Sequence, residues 1–293
     1  MATVVLTGAT GRVGTRLLPL LCEQGHRVLA VTRRAEAKED LAALGAEPVV
    51  GDINAPASLD SAFSQADTVF LATADAPDQD RIETGLISAI AKAGSPHVVK
   101  LSAQSAGLSP PRSFGIYHRR AEQALEASGL PWTILRPTFF QQSLLLFAAD
   151  IAAKGKLIAP AGTGKIAMVD LEDVARSAAT VLGDTVRGDT GYAGRIYTLT
   201  GPSAHSLAEV TAALSDRLGR KIGYVSPPAF VARLVLPFAT GMPRWQSNLV
   251  VDLFSALKAG AQEQVSGDVE TLSGQPPSSL NAFLQRHIDA FRP

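Results

Sequence analysis

The feature that most constrains this chain is a repeated pairing of a short, continuously apolar run with a longer segment of helical periodicity. Thr3 to Thr7 reads as a buried strand. Arg12 to Gln24 follows as a helix with Val13, Leu17, Leu20 and Leu21 on one face, closed by Gly25. Further strands are predicted over Arg27 to Thr32, Glu47 to Val50, Thr68 to Leu71, His97 to Leu101 and Trp132 to Leu135. Helices over Ala35 to Leu44, Ala57 to Phe63, Asp78 to Ala93 and Phe114 to Ser128 separate or follow them. Runs that are apolar throughout, rather than alternating, belong to strands covered by helices on both faces. Strand–helix repetition implies parallel neighbours joined by right-handed crossovers. The expectation is an α/β fold with a doubly wound parallel sheet over 1–137. A smaller, mostly helical lobe over 138–293 is interleaved with that core rather than independent. In this lobe helices dominate (Phe139 to Ala153, Leu171 to Leu182, Leu207 to Leu218, Ala229 to Phe238, Gln246 to Lys258, Leu280 to Phe291). Strand candidates there are Lys165 to Val169, Ile196 to Leu199 and Ile222 to Val225.

Between the first strand and the first helix lies Thr7-Gly8-Ala9-Thr10-Gly11-Arg12-Val13-Gly14. Gly8 permits a tight turn, Gly11 lets backbone approach a pyrophosphate, and Gly14 allows close helix packing. The helix N-terminus offers N–H groups and the positive end of its dipole to phosphates. This placement points to a dinucleotide and a Rossmann-type sheet. At the end of the second strand, where an acidic ribose ligand is expected, the chain has Thr32-Arg33-Arg34. A guanidinium grips a 2′-phosphate where a carboxylate would repel it, so NADP(H) is the cofactor favoured. Other candidate cofactor contacts sit at carboxyl ends of strands: Asp52 and Ile53, then Ala72, Thr73 and Ala74, then Ser102 and Ala103.

Composition narrows the alternatives. Of 293 residues, 27 are Lys or Arg and 27 Asp or Glu, so no global basic field favours nucleic acid or anionic membrane. The lone Cys22 precludes an intramolecular disulfide framework, and the five scattered histidines lack metal-ligand spacing. The N-terminus lacks a secretory pattern. Asp150, or Arg233 and Pro237, interrupt the two most apolar helical stretches short of the ~18 residues of a membrane span. A cytoplasmic monomer or homodimer acting on a small molecule is expected, with no metal.

With these residues in place, the chain resembles the NmrA-like group of atypical short-chain dehydrogenase/reductases almost end to end. The Thr-Gly-Ala-Thr-Gly-x-x-Gly turn is that superfamily's form. Leu135-Arg136-Pro137-Thr138-Phe139-Phe140 and Val169-Asp170-Leu171-Glu172-Asp173-Val174-Ala175 look like family segments, as do Tyr197 to Pro202 and Leu218-Gly219-Arg220. The resemblance implies cofactor contacts at Pro137, Thr138 and Phe139. It also implies a family ranging from quinone, azo-dye and triphenylmethane reductases to cofactor-sensing regulators.

Short-chain dehydrogenases usually place Tyr-x-x-x-Lys on the helix after the fifth strand. Aligned by Glu122 and Gly129-Leu130-Pro131, that pair falls here on Phe114 and His118. His118, in the Lys position, is the candidate catalytic residue: an imidazole of ordinary pKa near ~6.5 can donate a proton or orient the nicotinamide ribose. Lys100 reads as a salt-bridge or solvent residue. Phe140, Phe147, Met168 and Trp245 are candidates to line an apolar substrate pocket. The leading expectation is an NADPH-dependent reductase of a small, apolar conjugated acceptor, which needs little acid catalysis from the protein. The missing Tyr/Lys pair keeps open a non-catalytic NADP(H) sensor that binds a protein partner, and the same pocket could serve a redox-neutral isomerase or cyclase.

Overall fold

The computed structural model describes residues 2–293. Seven parallel strands form the central sheet: β1 (Thr3–Leu6), β2 (Arg27–Thr32), β3 (Glu47–Val50), β4 (Thr68–Leu71), β5 (His97–Leu101), β6 (Trp132–Pro137) and β9 (Arg195–Leu199). Their order is β3-β2-β1-β4-β5-β6-β9. The chain winds outward from β1 to β3, then crosses back to place β4 on the other side of β1. The switch point between β1 and β4 opens a crevice at their carboxyl ends, where ligands bind in such sheets. The six anticipated strands are present, with β6 running on to Pro137. Ile196 to Leu199 becomes a seventh, so part of the C-terminal lobe returns to complete the core sheet.

The layers follow from side-chain alternation. Val4, Leu6, Val28, Ala30, Phe70, Val99 and Leu135 pack on one face beneath α1 (Gly14–Glu23), α7 (Leu171–Val186) and α11 (Asp268–Ser273). Val5, Leu29, Val31, Val69, Val98 and Ile134 point the other way. There they meet α3 (Asp60–Phe63), α4 (Gln79–Ala93) and α5 (Gly115–Glu126). The remaining short helix α2 (Lys38–Ala43) links β2 and β3. No described helix is long and apolar enough to cross a membrane.

A third core belongs to the C-terminal lobe. It gathers residues from α6 (Ala148–Lys154), α8 (Leu207–Leu218), α10 (Arg244–Lys258) and α12 (Leu280–Arg286), and α9 (Ala229–Thr240) packs on α10. The helix expected over Phe139 to Ala153 is divided. Phe140 is extended and bridges Val169, a 3-10 segment covers Gln141–Phe147, and only then does α6 begin. Of Lys165 to Val169 only β8 (Lys165–Ile166) is a strand, paired antiparallel with β10 (His205–Ser206). β11 (Gly223–Val225) pairs with β7 (Lys156–Ile158), a strand too short to show in the sequence pattern.

Buried carboxylates join this lobe to the sheet. Asp170 caps α7 by accepting from Glu172 N at 3.0 Å, and it also accepts from Gln142 Nε2 at 2.5 Å and from Arg286. Asp173 accepts from Ser278 N at 2.7 Å and Arg176 at 2.6 Å, although burial pushes its carboxyl up. The family-like acidic segment is thus a structural clamp, with every buried oxygen given a donor.

Candidate active site

The crevice at the switch point is built by the glycine turn. Thr7, fully buried, donates its hydroxyl to Phe70 O (3.0 Å) and Ala72 O (2.9 Å), while Ala72 N donates back to Thr7 Oγ1 at 2.9 Å. This stitch fixes the exit of β4 beside the exit of β1. Gly8 has φ +66°, and a Cβ there would stand 2.9 Å from Ala72 O. At Gly14 a Cβ would reach 2.1 Å from Gly8 O, so α1 can begin where it does only because this residue has no side chain. No side chain caps α1, and among the described residues the N–H groups of Arg12, Val13 and Gly14 have no backbone acceptor. Unpaired N–H groups on a helix N-terminus held against bare backbone fit a dinucleotide diphosphate. The Arg12 guanidinium lies 5.7 Å from the centre of the Phe140 ring and ties the turn to the second lobe.

Beside this cradle, at the ends of β4 and β5, lies a buried polar chain. Thr73 donates to Glu83 Oε1 at 2.7 Å, and Lys100 Nζ donates to Glu83 Oε2 at 2.5 Å. Lys100 also lies 3.3 Å from Leu101 O and 3.4 Å from His118 Nδ1. Burial pushes the Glu83 carboxyl up, but the Lys100 ammonium, His118 and the hydrogen bonds outweigh it and hold it below the ordinary carboxylate range. Burial, followed by the Lys100 charge, pushes the His118 imidazole down to about 4. His118 as a residue is half-buried, with its ring turned inward onto the fully buried Lys100. It is therefore neutral at pH 7, which corrects the expectation of an imidazole of ordinary pKa acting as proton donor.

A second buried cluster backs the first. Glu122 accepts from Ser102 Oγ at 2.6 Å and from Arg136 Nε and Nη2 at 2.9 and 2.6 Å. It ties the end of β6 to the second half of α5.

Comparison with known proteins places this geometry. Residues 8–185 match the NAD(P)H-binding family. The NAD(P)H azoreductase of Xenophilus azovorans is 31% identical over 98% of this chain and 99% of its own length. The (4-alkanoyl-5-oxo-2,5-dihydrofuran-3-yl)methyl phosphate reductase of Streptomyces griseus is 34% identical over 99% of both chains.

The chain belongs to the NAD(P)H-binding family, as an NmrA-like atypical short-chain dehydrogenase/reductase.

The crystal structure of the NADPH-dependent quinone oxidoreductase of Escherichia coli, complexed with NADPH, superposes on this NmrA-like protein with a TM-score of 0.87. It is 25% identical and covers 97% of this chain and 99% of that one. The protein is an NAD(P)H-dependent reductase.

Within this reductase the residues singled out from sequence divide into two groups. Thr7 to Gly14, Ala72 and Thr73 meet at the switch point, His118 is joined to Thr73 through Lys100 and Glu83, and Ala74 is exposed. Arg33 and Arg34 are exposed just past β2. Asp52 is held below its ordinary pKa first by hydrogen bonds from Asn54 and also by the Arg33 charge. Ile53 packs partly against the α4-side core, and Ala103 opens the turn after β5.

Other candidates are occupied by the fold. The Ser102 hydroxyl proton goes to Glu122. Pro137 is buried at the end of β6, and Thr138 donates to Ala167 O at 2.6 Å. Phe139 N donates to Gln262 Oε1 at 2.7 Å, and its ring packs 6.1 Å from Phe254. Phe147 is partly buried against the C-terminal core. Met168 is only 2% exposed within that core, so its reading as a pocket-lining side chain is corrected to a packing one. Trp245 is half-buried in the first turn of α10. A recess of about 830 Å³ on the α3–α4 flank contains none of these residues.

Sequence reasoning anticipated a salt bridge for Lys100, which the structure shows, but missed its partner Glu83 and its contact with His118. Both signals were present: Lys100 interrupts the apolar run of β5, and Glu83 lies on the α4 face shared by Gln79, Ile82, Leu86, Ile87 and Ile90.

Proposed function

We propose that this protein is an NADPH-dependent reductase that delivers hydride to a small, apolar, conjugated acceptor such as a quinone or azo compound. The observation that carries the reading is the uncapped N-terminus of α1, held over Gly8 and Gly14 at the switch point of the sheet. The relatives' names support the acceptor class, since quinones, azo compounds and an acylated dihydrofuranone all offer electron-poor π systems. Bound NADPH supplies the hydride. The glycine turn holds the diphosphate, and Arg33, exposed beside Asp52 at the strand ends, grips the 2′-phosphate.

Hydride addition to such an acceptor leaves negative charge on its oxygen or nitrogen. The neutral His118 ring donates a hydrogen bond to that atom and stabilises the charge, and water delivers the final proton. Phe140, fixed by its bridge to Val169 and by Arg12, walls the crevice against water on the lobe side. We place the lobe boundary after Pro137 and read the protein as a cytoplasmic monomer or homodimer. Purified protein mixed with NADPH and a panel of quinones and azo dyes tests the reading. Acceptor-dependent loss of NADPH absorbance is expected. Tight NADPH binding without oxidation by any acceptor would favour a sensor instead.

A further inference from the structure

The catalytic reading of His118 requires a particular ring nitrogen to carry hydrogen, and the buried chain behind it determines which. An ammonium has three N–H donors and no lone pair. Lys100 Nζ aims them at Glu83 Oε2 (2.5 Å), Leu101 O (3.3 Å) and His118 Nδ1 (3.4 Å). His118 Nδ1 must therefore be the acceptor, and in the neutral ring the hydrogen then sits on Nε2. Among the described residues Nε2 makes no hydrogen bond, yet it is not one of the enclosed unpartnered atoms. It therefore keeps some accessible surface on a half-buried residue.

We propose that Lys100 and Glu83 are a positioning pair that locks His118 in the Nε2–H tautomer and aims that hydrogen at the acceptor.

Lys100 and Glu83 have no solvent-exposed side-chain surface, so water cannot replace either partner. Glu83 is anchored on its other oxygen by Thr73, which leaves β4 immediately after the glycine-facing Ala72. The chain thus runs from the cofactor cradle through α4 and β5 to the helix that bears His118, and it fixes ring orientation as well as tautomer. The charged and titratable groups around the ring are Lys100 on β5, Glu83 on α4 and Glu122 on α5. The Glu83 charge acts in turn on Asp75, on the loop between β4 and α4. Lys100 is the one among them that touches Nδ1. Removing the pair frees the ring to take its other tautomer, in which the open nitrogen accepts rather than donates. A lone pair there repels the developing anion.

The proposal rests on the reductase reading only for its effect on rate, and the two can fail separately. The test is long-range nitrogen–proton NMR of histidine-labelled, cofactor-free full-length protein, with His118 assigned by loss of its signals in His118→Gln. In the wild type, His118 should show the Nε2–H pattern near pH 7. An Nδ1–H pattern would overturn the proposal without recourse to any variant. The double variant Glu83→Gln/Lys100→Met, nearly isosteric and uncharged, should show mixed tautomers. It should also lose about 10- to 100-fold in kcat, with KM for NADPH within about twofold. A folded double variant that keeps the wild-type tautomer, or keeps the wild-type kcat, would contradict the assignment. The reductase reading is judged separately, by NADPH oxidation in the wild type.

Discussion

The Lys100 ammonium lies 2.5 Å from Oε2 of Glu83, and neither side chain has any exposure to solvent. Removing two charges from water is costly, and a pair so placed persists because each remaining donor and acceptor is matched. Lys100→Met alone strands a carboxylate and should cost about 3–5 kcal/mol in urea unfolding. Adding Glu83→Gln should recover most of that loss. Additive losses in the double variant would show that the two side chains are not coupled.

Gly14→Ala should damage both stability and cofactor binding. The new Cβ would lie 2.1 Å from a backbone oxygen of the turn, which cannot yield without moving Gly8. A loss of about 1–3 kcal/mol is expected from overpacking, with NADPH affinity falling alongside. A variant that melts and binds like the wild type would show that the turn is not as tight as described.

Acidification should weaken the fold through His118. Its ordinary value is 6.5 and its folded value about 4, set by burial and then by Lys100. Between these values the unfolded chain binds a proton that the folded chain refuses. Stability is therefore complete above about pH 6.5 and falls as the pH approaches 4, by up to about 3 kcal/mol from this group. His97, likewise pushed down to about 4 by burial, adds in the same direction. Urea unfolding of wild type and His118→Gln at pH 7 and pH 5 isolates the contribution. An equal loss of stability between pH 7 and pH 5 in both proteins would show that the fold does not lower the pKa of this ring.

Arg33→Ala should weaken NADPH binding by roughly tenfold or more while leaving NADH nearly unchanged, since only the former carries a 2′-phosphate for the guanidinium to hold. Equal losses for both cofactors would show that Arg33 does not discriminate between them.

Much of the sheet and the glycine cradle was legible because both rest on local chemistry. Apolar runs such as Val28 to Val31 have one way to be buried on both faces, and Gly8 and Gly14 mark places where backbone meets backbone. The C-terminal lobe was less legible because its elements depend on distant partners. Phe140 has helical neighbours in sequence, yet its bridge to Val169 holds it extended, and Gln262 accepts from the N–H of Phe139 beside it. β7 and β11 have three residues each and exist through each other. Around His118 the position was readable and the environment was not. No spacing rule links Glu83, Lys100 and His118, and only the fold brings the first two beneath the ring.

Calorimetric titration with NADPH and NADH measures the central claim most directly. The account predicts one NADPH bound per chain, more tightly than NADH, with the difference removed in Arg33→Ala. Absence of binding heat for both reduced cofactors, confirmed by an empty crevice in crystals soaked with NADPH, would contradict it.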